Sequence, residues 1–213
     1  MREAIKDVEV IHYHMKSYVG IDEAGAGCFY GPVCAAAVWL HPSVDMSLID
    51  DSKKLSDKKR RVANEQIKLS SLVGIGMVDA IEIDDINILQ ARIKAMHIAV
   101  DDLLQAHPSL LENDLNLLVD GNCFRKYKSI PHTCIVKGDS HRKEIAAASI
   151  VAKVHRDSHI LQQCEKDPQL NMYQIGKNKG YGTKAHRDAI TSHGLLVEHR
   201  KTFGMCKQFA LAN

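Results

Sequence analysis

Tyr18-Val19-Gly20-Ile21-Asp22-Glu23-Ala24-Gly25-Ala26-Gly27-Cys28-Phe29-Tyr30-Gly31-Pro32 is the stretch that decides how this chain is read. An apolar, β-prone run delivers two adjacent carboxylates into a glycine-rich turn. Side chains alternate faces along a strand, so Asp22 and Glu23 are expected to point in opposite directions. They serve one site only if the strand ends there, and Gly25, Gly27 and Gly31 supply the expected ending. Paired acids at a strand tip suit a hard divalent cation such as Mg²⁺ or Mn²⁺, which prefers oxygen ligands. A strand followed by a polar turn is the plain alternative.

Outward from this stretch, residues 17–23 and 32–40 read as two strands joined by the glycine turn. Residues 56–70 read as a helix with Ser56 as N-cap and a basic outer face. Residues 72–80 are a third strand, weakened by two glycines. From Ile83 to Gln105 apolar residues recur at helical spacing, predicting one acidic helix that ends before His107-Pro108. Leu115–Asp120 and His132–Val136 are two further strands. Residues 140–165 form a long helix whose first half, Ile145-Ala146-Ala147-Ala148, is small enough to pack closely on a sheet; a helix follows over 183–193. This order predicts an α/β or α+β chain with a central mixed sheet. Residues 1–16 are expected to be an extension, with the pair His12 and His14 solvated rather than metal-binding, and 17–213 one compact domain.

The net charge of +2 conceals an asymmetry. Residues 52–61 carry six Lys/Arg against one Asp, and residues 177–207 carry seven against two acids. Residues 79–120 reverse this, with nine acids against Arg92 and Lys94. Two basic segments suggest a phosphate-rich polymer as partner, although an isolated basic run is usually a solvated helix face. No apolar run approaches the ~20 residues needed to span a membrane, and the N-terminus lacks a secretory pattern. The six cysteines, at 28, 34, 123, 134, 164 and 206, form no Cys-x-x-Cys pair. They are expected to be reduced, mostly buried thiols of a cytoplasmic protein, and a zinc site is not expected.

Asp120 precedes Gly121 at a strand end, as Asp22 precedes its own turn; alone it would be an Asp-Gly turn. Asp139, in Lys137-Gly138-Asp139 before the long helix, alone would be an N-cap. Together, Asp22, Glu23, Asp120 and Asp139 are four carboxylates that could converge. Such a cluster repels itself strongly without a cation. Two metals held there would support in-line hydrolysis of a phosphodiester, with the basic segments on the flanking phosphates.

Gly20–Val38, Asp51–Arg60 (DSKKLSDKKR), Ile86–Arg92, Val119–Asn122 (VDGN), Val136–Asp139 (VKGD), Ile145–Asp157 and Lys179–Ile190 (KGYGTKAHRDAI) resemble, in order along nearly the whole chain, the blocks of type 2 ribonuclease H, ribonuclease HII. The resemblance implies an RNase H-like fold: a mixed five-stranded sheet flanked by helices, with a C-terminal helical segment. It implies endonucleolytic cleavage of RNA within RNA–DNA duplexes, leaving 3′-hydroxyl and 5′-phosphate ends, with Mg²⁺ or Mn²⁺. By position, Asp22, Glu23, Asp120 and Asp139 match the family's metal-binding acids. Ser52, Lys53 and Lys54 match its phosphate-contacting loop, and Lys153 and Asp157 its AKVxRD helix beside the site. Tyr181 matches the tyrosine that packs on the sugar at the DNA side of an RNA–DNA junction, where shape discriminates deoxyribose.

The family usually has Gly-Arg-Gly where this chain has Gly25-Ala26-Gly27. In that loop the glycine backbone contacts the ribonucleotide 2′-hydroxyl and the arginine a nearby phosphate. Ala26 removes that charge-assisted contact, so weakened cleavage at single embedded ribonucleotides is expected. Cys28–Pro32 also leans toward type 3 relatives, whose additional N-terminal domain does not fit before Tyr18. A non-catalytic nucleic-acid-binding module and a hydrolase of small phosphate esters are the competing readings. A monomer acting on RNA–DNA hybrid or ribonucleotide-containing duplex, without membrane contact, is expected.

Overall fold

The computed structural model describes residues 16–212. The expected extension, with His12 and His14, therefore lies outside the described residues except for Lys16, which opens the first strand. Among the described residues five strands, β1 (Lys16–Ala24), β2 (Val33–Trp39), β3 (Leu72–Val78), β4 (Asp114–Asp120) and β5 (His132–Ile135), form one sheet in the order β3-β2-β1-β4-β5. The β1–β2 and β2–β3 pairs are antiparallel, and β1–β4 and β4–β5 are parallel. The sheet is thus mixed, as expected.

Among the described residues seven α-helices accompany it: α1 (Asp57–Ser70), α2 (Ala80–Ile86), α3 (Ile88–Ala106), α4 (Lys143–Lys166), α5 (Ile175–Asn178), α6 (Lys184–His193) and α7 (Gly204–Ala212). Ser56 caps α1 as expected, its hydroxyl accepting from the Lys59 amide. The single helix expected over 83–105 is instead two. Asn87 takes a left-handed φ of 66° and turns its side-chain oxygen onto the Leu89 and Gln90 amides, so it ends α2 and caps α3. The N-cap reading of Asp139 also fails, because α4 begins later, after Arg142. Asp139 sits in a short 3₁₀ turn, Gly138–Ser140.

Alternation along β1 and β2 divides the core. Val19, Ile21, Ala35 and Ala37 face α3, with Ala95, Met96, Ala99 and Leu103 packed against them. Ala36 and Val38 face α4 and α1, meeting Ala146, Ala147, Ile150 and Ile67. The glycines of β3, expected to weaken it, instead admit a helix: a Cβ on Gly76 would lie 2.0 Å from the Ala95 carbonyl oxygen, so α3 can rest directly on the strand. Ile160, Leu170, Tyr173, Ile175, Ile190 and Cys206 form a separate cluster that seats the C-terminal helices against the end of α4. Cys28, Cys34 and Cys206 are buried, Cys134 and Cys164 half-buried and Cys123 exposed. All are free thiols, so mostly buried holds for only half of them.

Candidate active site

The expected strand break at Asp22-Glu23 does not occur, since β1 stays paired with β2 through Ala24↔Cys34. What ends is its pairing on the other edge. The β1–β4 register stops at Ile21↔Val119, beyond which the carboxyl ends of the two parallel strands part. Crevices outside the carboxyl ends of parallel strands are where such sheets bind ligands. Asp22 and Glu23 from β1, and Asp120 from β4, line a cleft of about 260 Å³ there.

The two neighbours do diverge, as alternation requires. Asp22 turns toward α4, hydrogen-bonding the Ser149 side chain and accepting from the Glu23 amide at 2.7 Å. Glu23 turns toward α3, where its Oε1 meets Arg92 Nη2 at 2.7 Å. Its second oxygen, Oε2, is buried without a hydrogen-bond partner. Burial pushes the Asp22 carboxyl well above its ordinary range, and the charges of Glu23 and Asp120 push it further. Burial also raises Glu23, against the pull of Arg92. Asp120 Oδ1 accepts from the Gly138 amide at 2.7 Å, which ties β4 to the turn carrying Asp139. Asp139 is buried at 7% exposure, and the free end of Lys53 reaches it at 3.4 Å.

Among the described residues, no three His, Cys, Asp or Glu side chains close into a ready-made metal cage. Each acid except Asp22 is drawn to a different partner: Glu23 to Arg92, Asp120 to Gly138, Asp139 to Lys53. An open set of oxygens suits Mg²⁺, which keeps several waters and binds through one or two carboxylates plus substrate phosphate. The partnerless Glu23 Oε2 and the raised Asp22 and Glu23 mark buried carboxylates whose charge is not fully compensated. These residues fit a divalent cation.

The same cleft is lined by Gly25, Ala26, Gly27, Ser52, Lys53, Lys153 and Tyr181. Ser52 shares a hydroxyl hydrogen bond of 2.9 Å with Ser149, and Arg60 fixes its loop by donating to the Ser52 and Leu55 carbonyls. Lys153 bridges to Asp157 at 2.9 Å and lies 5.3 Å from the centre of the Tyr181 ring. Tyr181 is 40% exposed at the rim, and burial of its hydroxyl end pushes the phenol up to about 12. Lys54 and Asp139 do not line the cleft; Lys54 is exposed and pairs with Asp50 at 3.5 Å.

Sequence reasoning missed the residues that hold these loops. Arg156 is fully buried and donates to the carbonyls of Pro32 (2.8 Å), Lys179 (2.8 Å) and Tyr30 (3.0 Å). It stands so close to Gly25, at φ 87°, that a Cβ there would lie 1.9 Å from its Nε. Arg200, also fully buried, donates to Gly31 (2.9 Å) and Ala26 (3.0 Å) carbonyls. Nothing adjacent to them in sequence hints at this; only tertiary approach reveals it.

The family model described as Ribonuclease HII matches residues 19–206. A Bacteroides thetaiotaomicron protein named Ribonuclease HII is 46% identical over 187 residues, covering 87% of this chain and 88% of its own. Among solved structures, ribonuclease H2 from Pyrococcus horikoshii superposes with a TM-score of 0.70 at 19% identity, over 92% of this chain and 98% of that one. Bst-RNase HIII in complex with Mn²⁺ superposes at 0.68 and 18% identity, over 92% of this chain and 69% of its own.

Proposed function

This chain belongs to the ribonuclease HII family, metal-dependent endonucleases of the ribonuclease H type, and we propose that it cuts the RNA strand of RNA–DNA hybrids with Asp22, Glu23 and Asp120 in the cleft and Asp139 beside it. The observation that carries this reading is the parting of β1 from β4, which sets Asp22, Glu23 and Asp120 around one opening while Glu23 Oε2 has no partner. These acids would hold Mg²⁺ or Mn²⁺, both of which accept such ligands. A divalent cation held by these acids would supply Lewis acidity toward the phosphate and lower the pKa of water, the chemistry that hydrolysis to 3′-hydroxyl and 5′-phosphate ends requires.

The chain's own side chains do the placing. Lys53 and Lys153 carry positive charge to the two flanks of the acids, where the phosphates on either side of the scissile bond would lie. Lys54, exposed beyond the cleft, is left for a more distant phosphate. The Gly25–Gly27 backbone faces the ribonucleotide, and Tyr181 offers its ring to the following deoxyribose. Ala26 brings no charge to that loop, so cleavage at a single embedded ribonucleotide is weaker than on long hybrid. We place the enzyme in the cytoplasm as a monomer acting on hybrid or ribonucleotide-containing duplex. Among the described residues no helix is long and apolar enough to cross a membrane.

Asp120→Asn tests the reading. The amide keeps the oxygen that accepts from Gly138 and loses only charge, so cleavage should fall about 1,000-fold or more while hybrid binding stays within about two-fold. Retained cleavage would remove Asp120 from the site. Equal cleavage of single-ribonucleotide and long-hybrid duplexes by the unaltered protein would remove the role given to Ala26.

A further inference from the structure

Two histidines under the Tyr181 loop form a hydrogen-bonded chain with only one allowed direction. The Leu196 amide donates to His199 Nδ1 at 2.8 Å. That nitrogen must therefore hold a lone pair, which leaves the proton of neutral His199 on Nε2. His199 Nε2 lies 3.0 Å from His186 Nε2, and His186 Nδ1 lies 3.0 Å from the Tyr181 carbonyl oxygen. A carbonyl can only accept, so His186 carries its proton on Nδ1 and receives the His199 proton on Nε2. An amide at one end and a carbonyl at the other impose the same assignment. Doubly protonating either ring would set two N–H groups against each other.

The pair is sealed. His186 and His199 are 0% and 1% exposed, and Phe29, Tyr30 and Tyr173 pack around them. Nothing in the proposed chemistry uses these rings. Their neighbour Arg200 holds the glycine turn that is paired with the Tyr181 loop through Phe29 and Gly180, by donating to the Ala26 and Gly31 carbonyls, and its own amide donates to the Phe29 carbonyl at 2.7 Å. Adjacent residues thus grip two loops: Arg200 the Gly25–Gly27 loop, and His199, through His186, the Tyr181 loop.

We propose that His199, His186 and Arg200 are positioning residues that fix the distance between the ribose-facing Gly25–Gly27 backbone and the Tyr181 ring, and so set preference for a deoxyribose after the scissile phosphate. The inference rests on the reading that Tyr181 packs on that sugar. The chain acts on the Tyr181 backbone, at the root of the side chain, where a small rotation swings the ring furthest. It leaves the acids alone, so its loss alters discrimination more than turnover.

The test is a pair of duplexes differing in one sugar, deoxyribose or ribose, on the 3′ side of the scissile phosphate, with kcat/KM measured on each by the full-length protein. Tyr181→Ala should collapse the preference; if it does not, the reading of Tyr181 fails and the inference with it. With that benchmark in place, His186→Leu should lower the preference about five-fold, the worth of one hydrogen bond, with kcat on long hybrid little changed. His186→Asn, whose amide can still donate to the Tyr181 carbonyl, should restore most of it. An unchanged preference in His186→Leu, or equal losses in the Leu and Asn variants, overturns the inference while leaving Tyr181 in place. Should His186→Leu not fold, His199→Asn removes the donor to His186 and should lower the preference about two-fold; no change overturns the inference. In the unaltered protein, long-range ¹H–¹⁵N spectra near pH 7 should show His199 protonated on Nε2 and His186 on Nδ1. His186 protonated on Nε2 would break the chain and overturn the inference directly.

Discussion

Replacing Arg156 by methionine should loosen the fold at the joint between sheet and C-terminal helices. The guanidinium makes three hydrogen bonds, to the Tyr30, Pro32 and Lys179 carbonyls, and is wholly buried. A hydrogen bond involving a charged group is worth about 1.5–3 kcal/mol. Methionine fills much of the stem volume and removes the cost of burying a charge, which offsets part of the loss. The net expectation is about 3–5 kcal/mol of destabilisation, a large share of the ~5–15 kcal/mol that holds a typical protein together. Equilibrium urea denaturation of the two proteins, fitted with a common slope, measures it. Limited proteolysis should show new cleavage around residues 174–182, because Lys179 loses its anchor. Arg156→Lys, which can satisfy fewer carbonyls, should fall between. A difference below about 1 kcal/mol would refute the argument, since it would mean that the carbonyls find other donors or that the buried charge costs as much as its bonds return.

Other outcomes follow from the same structure. His199 is held down to about 4 by burial and by the facing His186. Its lowered value favours folding above the ordinary 6.5 and loses that contribution as pH falls toward about 4, a loss of about 3 kcal/mol. His199→Asn should therefore flatten the pH dependence of urea stability between pH 7 and 4; parallel curves would contradict this. Asp22 has the opposite sign, because its native carboxyl titrates above the unfolded value of 3.8, so its charge opposes folding as pH rises. In EDTA, Asp22→Asn should be more stable than the unaltered protein by about 1 kcal/mol or more at pH 7, with the gain shrinking toward pH 4. Gly76→Ala should cost about 2–4 kcal/mol in thermal or urea denaturation, because its methyl meets the backbone of α3 rather than a movable side chain; a neutral effect would show that α3 can slide.

The parts legible from sequence were those with local signatures. Apolar, β-prone runs gave the strands, Ser56 stood at the start of α1, and Asp22 and Asp120 each closed an apolar run ahead of a glycine turn. Reading failed where a local pattern had two physical solutions. An apolar helical period continued across Asn87, yet the asparagine side chain competes for the backbone and breaks it. Asp139 looked like a cap because it precedes a helix, but the helix starts beyond it and its carboxylate faces Lys53. No local pattern gives a role to Arg92, Ser149, Arg156, Arg200 or the two histidines, since each acts through a partner that the fold brings up.

The loops that would read substrate are anchored by residues distant in the chain: the Gly25–Gly31 turn by the downstream Arg156 and Arg200, the Tyr181 loop by the upstream Arg156 and by His199 through His186. During synthesis, all four acids have left the ribosome once residue 139 is out, yet nothing then holds the turn beside them. A partial chain of that length would own the acids without the anchors of the turn and loop proposed to select substrate. Assembly order would then act as a safeguard: the surface proposed to select substrate is complete only when His199 and Arg200, far downstream of Asp139, dock.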